Sequence, residues 1–279
     1  MAVLTPHTLP EALSALAAHP DALVLAGGTD AMVEINAGHR RPSSVIAVDR
    51  VAELREWRID ADRVVIGAGC TYRQIMVGDL AAELPALAEA SRTVGSPQIR
   101  QTGTIGGNVG TCSPAGDTLP VLAALDAVVH LASAAGTRSM PFREFMVGVK
   151  RTALAPGELV TAIEFARRSG WQGYAKVGVR NAMVIAVASA CLSADRSAGT
   201  VAIALGSVGP TVIRCTDAEE WLRATIDWGA PLDRAVAQEF GQRVSAASRP
   251  IDDHRATAEY RRHAVGVLAA RLLHRAFAA

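Results

Sequence analysis

The chain has few aromatic residues and no excess of charge of either sign. Phe, Trp and Tyr make up 4% of its 279 residues, too few for the aromatic surfaces on which nucleobases stack. Its 28 basic residues are balanced by 27 acidic ones, so no net charge attracts nucleic acid or an anionic membrane. Any anion that the protein binds must therefore be held by local groups.

The sequence also lacks membrane-directing segments and recognisable metal motifs. No apolar run approaches the roughly 20 residues of a membrane span. Residues 1–20 have an early proline and no basic start, unlike a signal peptide, so we expect a cytoplasmic protein. The seven histidines show no metal spacing. The four cysteines form no C-x-x-C pair, which argues against a disulfide framework, a zinc ribbon or an iron–sulfur cluster held by this chain alone: Cys70, Cys112, Cys191 and Cys215.

Half of the chain is hydrophobic, and its length suffices for two compact domains. In the first part, apolar patterns predict a helix, a strand, a helix opened by Thr29 and a strand, at 10–18, 22–28, 29–37 and 45–48. Such a strand–helix–strand unit makes its two strands parallel. Next, 57–69 predicts two strands joined by an Asp-rich turn, and 71–78 and 81–94 predict helices.

The second part is dominated by strands and ends in helices. Strands are predicted at 125–133, 158–166, 173–180, 184–194 and 200–209, with few helices between them. This arrangement favours antiparallel pairing. Helices are predicted at 217–226, 232–247 and 256–278. The polar segment 167–173 is the best candidate for a domain boundary.

Two Gly-Gly turns are the candidate binding elements: 24-VLAGGTDA-31 and 104-TIGGNVG-110. Without side chains, their backbone N–H groups can converge on an anion such as a diphosphate. Neither turn matches a P-loop or a G-x-G-x-x-G fingerprint. Asp30 would repel phosphate if its side chain pointed inward. The alternative is that each is a structural turn, and that the whole stretch 102–118 is a surface loop.

Two short polar side chains complete this constellation. Asn108 can donate from its amide to an oxygen, and Asp117 can accept from sugar or sugar-alcohol hydroxyls. Asp117 has an alternative role as the N-cap of a helix over 117–125. Thr104 is either a turn hydroxyl or a phosphate ligand.

Six segments that span almost the whole chain carry a family resemblance: 26-AGGTDAMVEI-35, 98-QIRQTGTIGGN-108, 113-SPAGDTLPVLAALDA-127, 174-YAKVGVRNA-182, 205-LGSVGPTVIR-214 and 255-RATAEYRR-262. They resemble the FAD-binding medium subunit of the molybdenum hydroxylases, the family of xanthine, carbon monoxide and nicotine dehydrogenases. The resemblance implies an α+β protein with the FAD-binding fold of the vanillyl-alcohol-oxidase (PCMH-type) superfamily. It implies an FAD-binding domain over 1–170, in subdomains of about 1–55 and 56–170, and a smaller C-terminal α+β domain over 171–279 with an antiparallel sheet.

The resemblance also implies which residues hold FAD. The backbone of both turns would wrap the diphosphate, Asp117 would hold FAD hydroxyls, Lys176 would approach the flavin ring and Val160 would pack nearby. The full set is Val24, Leu25, Ala26, Gly27, Gly28, Thr29, Asp30, Ala31, Thr104, Ile105, Gly106, Gly107, Asn108, Asp117, Val160 and Lys176. No residue is expected to act as an acid, a base or a metal ligand. Without the resemblance, Lys176 would be interpreted as a solvent-exposed lysine on an edge strand.

The implied function is electron transfer within a larger enzyme. Electrons would pass from a molybdenum cofactor in a large subunit, through [2Fe-2S] clusters in a small subunit, to FAD on this chain and then to an external acceptor. A dimer of heterotrimers is the implied assembly. The alternatives are a stand-alone flavin oxidase or dehydrogenase and a flavin-free scaffold. The chain departs from the family at Met183 and Val184, where many members carry an acidic residue, which bears on the choice of acceptor.

Overall fold

The computed structural model describes residues 2–278. Its first layer is a parallel sheet in the order β1-β3-β2, formed by β1 (Ala2–Leu4), β2 (Leu23–Leu25) and β3 (Ser44–Ala47). The helices α1 (Leu9–Ala18) and α2 (Ala31–Asn36) connect these strands. The predicted parallel strand–helix–strand unit is therefore confirmed. The helix between the two strands of this unit, α2, begins after Asp30 rather than at Thr29.

A second, antiparallel sheet follows, in the order β4-β5-β10-β6-β7. Its strands are β4 (Trp57–Ile59), β5 (Arg63–Gly67), β6 (Val128–Ser133), β7 (Gly136–Pro141) and β10 (Leu159–Ala166). Between β7 and β10 the chain forms a small separate hairpin of β8 (Met146–Gly148) and β9 (Arg151–Thr152). The predicted strand pair within 57–69 is confirmed as β4 and β5.

Short helices fill the connection between β5 and β6. They are α3 (Tyr72–Ile75), α4 (Gly78–Glu83), α5 (Pro85–Thr93), α6 (Pro97–Thr102), α7 (Ile105–Thr111) and α8 (Leu119–Ala124), with α9 (Phe142–Phe145) after β7 and a 3₁₀ turn at Ala52–Arg55. The single helix predicted over 81–94 is wrong, because the backbone leaves the helical region at Leu84 and Pro85 begins a new helix. Proline lacks the N–H that would continue the first helix.

The C-terminal part is a four-stranded antiparallel sheet covered by three helices. The strands β11 (Trp171–Val177), β12 (Ala188–Asp195), β13 (Thr200–Gly206) and β14 (Ile213–Arg214) pair in sequence order. The helices are α10 (Thr216–Thr225), α11 (Arg234–Ala247) and α12 (Ala258–Ala278). The antiparallel pairing and all three predicted helices are confirmed.

Each face of the C-terminal sheet meets a different hydrophobic core. On β12, Ala190 and Leu192 pack into the core formed with the C-terminal helices. Cys191, between them, packs into the core of the first part of the chain, as does its neighbour on β11, Tyr174. This is the alternation of side chains expected for a strand buried on both faces. The even-numbered residues of β11 around Tyr174 therefore face the N-terminal part of the protein.

The cysteines and the helices bear on two further expectations. All four cysteines are buried free thiols, and burial raises the pKa of Cys70 to about 11 and that of Cys112 to about 12. Within residues 2–278, no helix is both long enough and apolar enough to cross a membrane.

Candidate cofactor site

The first glycine turn presents backbone donors that the chain itself does not use. It begins where β2 ends at Leu25 and passes through Gly28, whose φ of +68° lies in the left-handed region that favours glycine. The N–H groups of residues 27–31 have no acceptor among residues 2–278. Five successive free donors at the start of a helix attract an anion.

The second glycine turn differs, because it is the first turn of α7 and its donors are already bonded. Thr104 is the N-cap, and its hydroxyl oxygen accepts the Gly107 N–H at 3.0 Å. The N–H groups of Ile105, Gly106 and Asn108 all donate to backbone carbonyls. The interpretation of 102–118 as a surface loop is wrong, since this segment contains a helix whose start is buried.

The first turn packs directly against the residues that precede the second turn, and the second turn packs against the end of β5. A Cβ atom on Gly27 would lie 1.8 Å from the Thr102 carbonyl oxygen, and one on Gly106 would lie 2.4 Å from the Ala68 Cβ. Only glycine fits at these two positions. In contrast, a Cβ on Gly107 would meet only the Thr104 hydroxyl, at 3.0 Å, so Gly107 borders space that the chain does not fill.

Asp117 lies at the centre of a buried polar cluster. One of its oxygens accepts from the Tyr174 hydroxyl at 2.8 Å, and the other lies 2.7 Å from the Lys176 ammonium nitrogen. Lys176 also donates to the carbonyls of Thr93 at 2.9 Å and Val184 at 3.1 Å. The interpretation of Asp117 as a helix N-cap is wrong, because α8 begins one residue later, after Thr118.

Burial dominates the electrostatics of this cluster. The side chains of Lys176 and Asp117 are only 9% and 8% exposed. Desolvation raises the pKa of Asp117 above its ordinary value, although the charge of Lys176 and the hydrogen bonds from Lys176 and Tyr174 act in the opposite direction. Burial and the nearby Asp117 carboxylate also raise the pKa of Tyr174. The phenol therefore stays protonated and acts as a donor to Asp117.

The other predicted residues lie at different depths. The Asn108 amide oxygen accepts from the Thr118 hydroxyl at 2.5 Å, which leaves the amide nitrogen as the available donor. Val160 is buried on β10 within the first core. Asp30 is exposed, and its carboxylate lies 4.0 Å from the Lys150 ammonium group.

Glu34, on the short helix α2 that follows Asp30, bonds the same lysine. Its carboxylate accepts from Lys150 at 2.7 Å, and this bond lowers the pKa of Glu34. The negative charge of Asp30 beside the first turn is therefore partly offset by Lys150.

Two family models together match almost the whole chain. The model described as the FAD binding domain in molybdopterin dehydrogenase matches residues 1–166, and the model described as the CO dehydrogenase flavoprotein C-terminal domain matches residues 174–276. The chain belongs to this family of FAD-binding subunits. The predicted family, the FAD-binding α+β fold and the assignment of the chain to an oxidoreductase are thereby confirmed.

Curated relatives of this FAD subunit are medium chains of dehydrogenases. The glyceraldehyde dehydrogenase medium chain of Sulfolobus acidocaldarius is 32% identical over 94% of this chain and 93% of its own length. The carbon monoxide dehydrogenase medium chain of Afipia carboxidovorans is 33% identical over 92% of this chain and 89% of its own.

A solved structure extends the likeness to three dimensions. A chain of the Cu,Mo-CO dehydrogenase superposes with a TM-score of 0.92 at 30% identity, over 100% of the FAD subunit and 98% of that chain.

The residues of this FAD subunit fit an FAD molecule in two respects. The free N–H groups of residues 27–31 supply the donors that a diphosphate needs. Asp117 uses one lone pair on each oxygen for Tyr174 and Lys176, and a carboxylate can accept further hydrogen bonds from hydroxyl groups.

Sequence patterns did not reveal what surrounds Asp117. Tyr174 and the carbonyls of Thr93 and Val184 were not among the predicted site residues. The alternation along β11 that places residues 174 and 176 on one face is the one available signal, and it does not indicate which element that face meets.

Proposed function

We propose that this FAD subunit transfers electrons within a molybdenum hydroxylase, from the [2Fe-2S] clusters of a small subunit to an external acceptor. The large subunit of this complex would carry the molybdenum cofactor, and two heterotrimers would form the assembly. Domains over 1–170 and 171–279, and a cytoplasmic location, belong to the same proposal. The observation that carries this proposal is the row of five free N–H groups in the first turn, which can bind the FAD diphosphate. Gly27 allows this turn to pack against the backbone of Thr102.

In this proposal FAD supplies the redox chemistry when it is bound, because the flavin ring can accept and release electrons. The chain's own residues bind and orient it. The N–H groups of residues 27–31 hold the diphosphate, and the open face beside Gly107 admits it.

Further along the site, Asn108 donates to a cofactor oxygen. Asp117 accepts from cofactor hydroxyls. Lys176 places a positive charge near the ring, where a reduced flavin carries negative charge. Val160 closes the apolar side of the site.

The first test is the visible absorption spectrum of the purified chain, followed by chromatography of what heat releases. Flavin absorbance with released FAD, and no iron–sulfur absorbance, is the expected result. A colourless protein that also fails to take up added FAD would contradict the proposal and favour a flavin-free scaffold.

A pair of glycine variants then locates the site. Gly107→Val places two methyl groups in the space beside Thr104, and we expect it to abolish FAD retention in a chain that still folds. Gly110→Val is the matched control, because Gly110 lies in the same helix and a Cβ there meets nothing within 4 Å. Normal flavin content in Gly107→Val, or equal loss in both variants, would contradict this site.

Co-purification tests the assembly. Affinity capture of the tagged chain from its native host should recover two further subunits, one containing molybdenum and one containing iron and acid-labile sulfide. Recovery of an active flavin enzyme made of this chain alone would instead support the stand-alone oxidase or dehydrogenase.

A further inference from the structure

Tyr72 lies against the second glycine turn, although no sequence pattern marks it as a site residue. It is the first residue of α3, and its N–H donates to the Gly103 carbonyl at 3.0 Å. The residues beside these two, Thr71 and Thr104, form an antiparallel bridge. A Cβ on Gly103 would lie 2.8 Å from a carbon of the Tyr72 ring, so the ring packs closely on the backbone of Gly103.

Gly103 in turn lies next to the first glycine turn. A Cβ on Gly27 would lie 3.0 Å from the Gly103 Cα. The Tyr72 ring therefore packs on the backbone of Gly103, which in turn packs on Gly27. This places Tyr72 at the junction of the two turns, close to the free N–H groups that begin at Gly27.

The hydroxyl of Tyr72 has no hydrogen-bond partner among residues 2–278, although the residue is only 4% exposed. Buried tyrosine hydroxyls usually find a partner. The hydroxyl oxygen is not among the unpartnered side-chain atoms that are sealed from solvent. The small accessible part of Tyr72 thus includes the hydroxyl.

The contacts through Gly103 place the Tyr72 ring beside the site already described. Burial raises the pKa of Tyr72, and the carboxylates of Asp117 and Asp30 raise it further. Asp30 belongs to the first turn, and Asp117 to the buried polar cluster with Tyr174 and Lys176. The phenol therefore remains a protonated donor.

We propose that Tyr72 is a cofactor-binding residue whose hydroxyl donates a hydrogen bond to a diphosphate oxygen of FAD. This inference rests on the proposed function. A diphosphate oxygen is the acceptor that the geometry favours, because the Tyr72 ring packs on Gly103, beside the turn whose free N–H groups would hold the same group. A neutral donor also suits this position, since the chain places no cation among the predicted residues of the two turns.

The test is Tyr72→Phe, which keeps the ring on Gly103 and removes only the hydroxyl. A hydrogen bond to a charged group contributes enough that its loss should raise the Kd for FAD about tenfold or more. The Kd for riboflavin, which has no phosphate, should not change. The melting temperature of the FAD-free chain should also stay the same, because the hydroxyl has no partner in the protein.

Tyr260→Phe is the matched control, since Tyr260 is 49% exposed on α12, and it should leave all three measurements unchanged. An unchanged Kd for FAD in Tyr72→Phe would overturn the inference, and so would a lower melting temperature of the FAD-free chain, which indicates a structural role. Equal weakening of FAD and riboflavin would overturn the diphosphate as the acceptor. Failure of the wild-type chain to bind FAD is a separate result, which contradicts the proposed function itself.

Discussion

Replacing Lys176 with Met should leave a charged group without its partner in the interior. Methionine has a similar length and suits the apolar surroundings, so the change removes the ammonium group with little loss of volume. Asp117, with its side chain 8% exposed, then keeps the neutral Tyr174 hydroxyl as a donor but has lost the charged one. Removing one partner of a buried ion pair typically costs about 3–5 kcal/mol of unfolding free energy. We expect a loss in this range.

The loss of unfolding free energy in Lys176→Met should depend on pH. In Lys176→Met the folded-state pKa of Asp117, already raised by burial, should rise further because the lysine charge is gone. A carboxylate whose folded pKa exceeds its unfolded pKa binds a proton more tightly in the folded state. The penalty of the variant is therefore complete above the folded pKa and shrinks as the pH falls below it.

Urea unfolding of the FAD-free chain, followed by circular dichroism at pH 8 and at pH 5, measures both effects. The double variant Asp117→Asn/Lys176→Met removes both charges and should recover most of the stability lost by Lys176→Met. A single variant that loses less than about 1 kcal/mol, the size of an exposed pair, would refute the interpretation of this pair as buried and coupled. A double variant no more stable than the single one would refute it as well.

Three further outcomes are expected. Gly27→Ala should abolish FAD binding, measured by flavin fluorescence, because the added methyl group would lie 1.8 Å from the Thr102 carbonyl oxygen and separate the two turns. Glu89→Ala removes the acceptor of the Tyr174 N–H at 2.7 Å and should lower the unfolding free energy by about 1–3 kcal/mol, while Glu89→Gln should recover most of it. Asp195→Asn should destabilise the chain above about pH 4, and this effect should disappear between about pH 4 and pH 2 in acid unfolding. Hydroxyl donors lower the folded-state pKa of Asp195 to about 2. The contribution of the Asp195 carboxylate to stability is therefore lost as the pH falls through that value.

Strongly periodic segments were predictable from the sequence, and short or exposed ones were not. The helix over 9–18 carries a regular apolar face and a threonine N-cap, and the C-terminal helices also bury an apolar face. In contrast, β7 reads GTRSMP and buries no residue, so no alternation marks it. The apolar period continues through the break at Leu84 on both sides, and Pro85 is the one local signal that a new helix begins there.

The site was predictable only as far as its glycine turns and its resemblance to a family. Gly27 and Gly106 are conspicuous in the sequence, but their steric reason is a contact with Thr102 and with Ala68. The pairing of Asp117 with Lys176 joins residues 59 positions apart, one just before α8 and the other on β11. Local propensity carries no information on such a contact, because tertiary packing decides it.

The position of β10 in its sheet has a consequence for synthesis on the ribosome. This strand is the last of its sheet in the chain, yet it lies in the middle, between β5 and β6. A nascent chain that has not yet released residues 159–166 holds two unjoined pairs, β4 with β5 and β6 with β7, each with an open edge that invites wrong pairing. Folding of this half must therefore wait until nearly all of it has emerged, and long-range pairings of this kind form slowly.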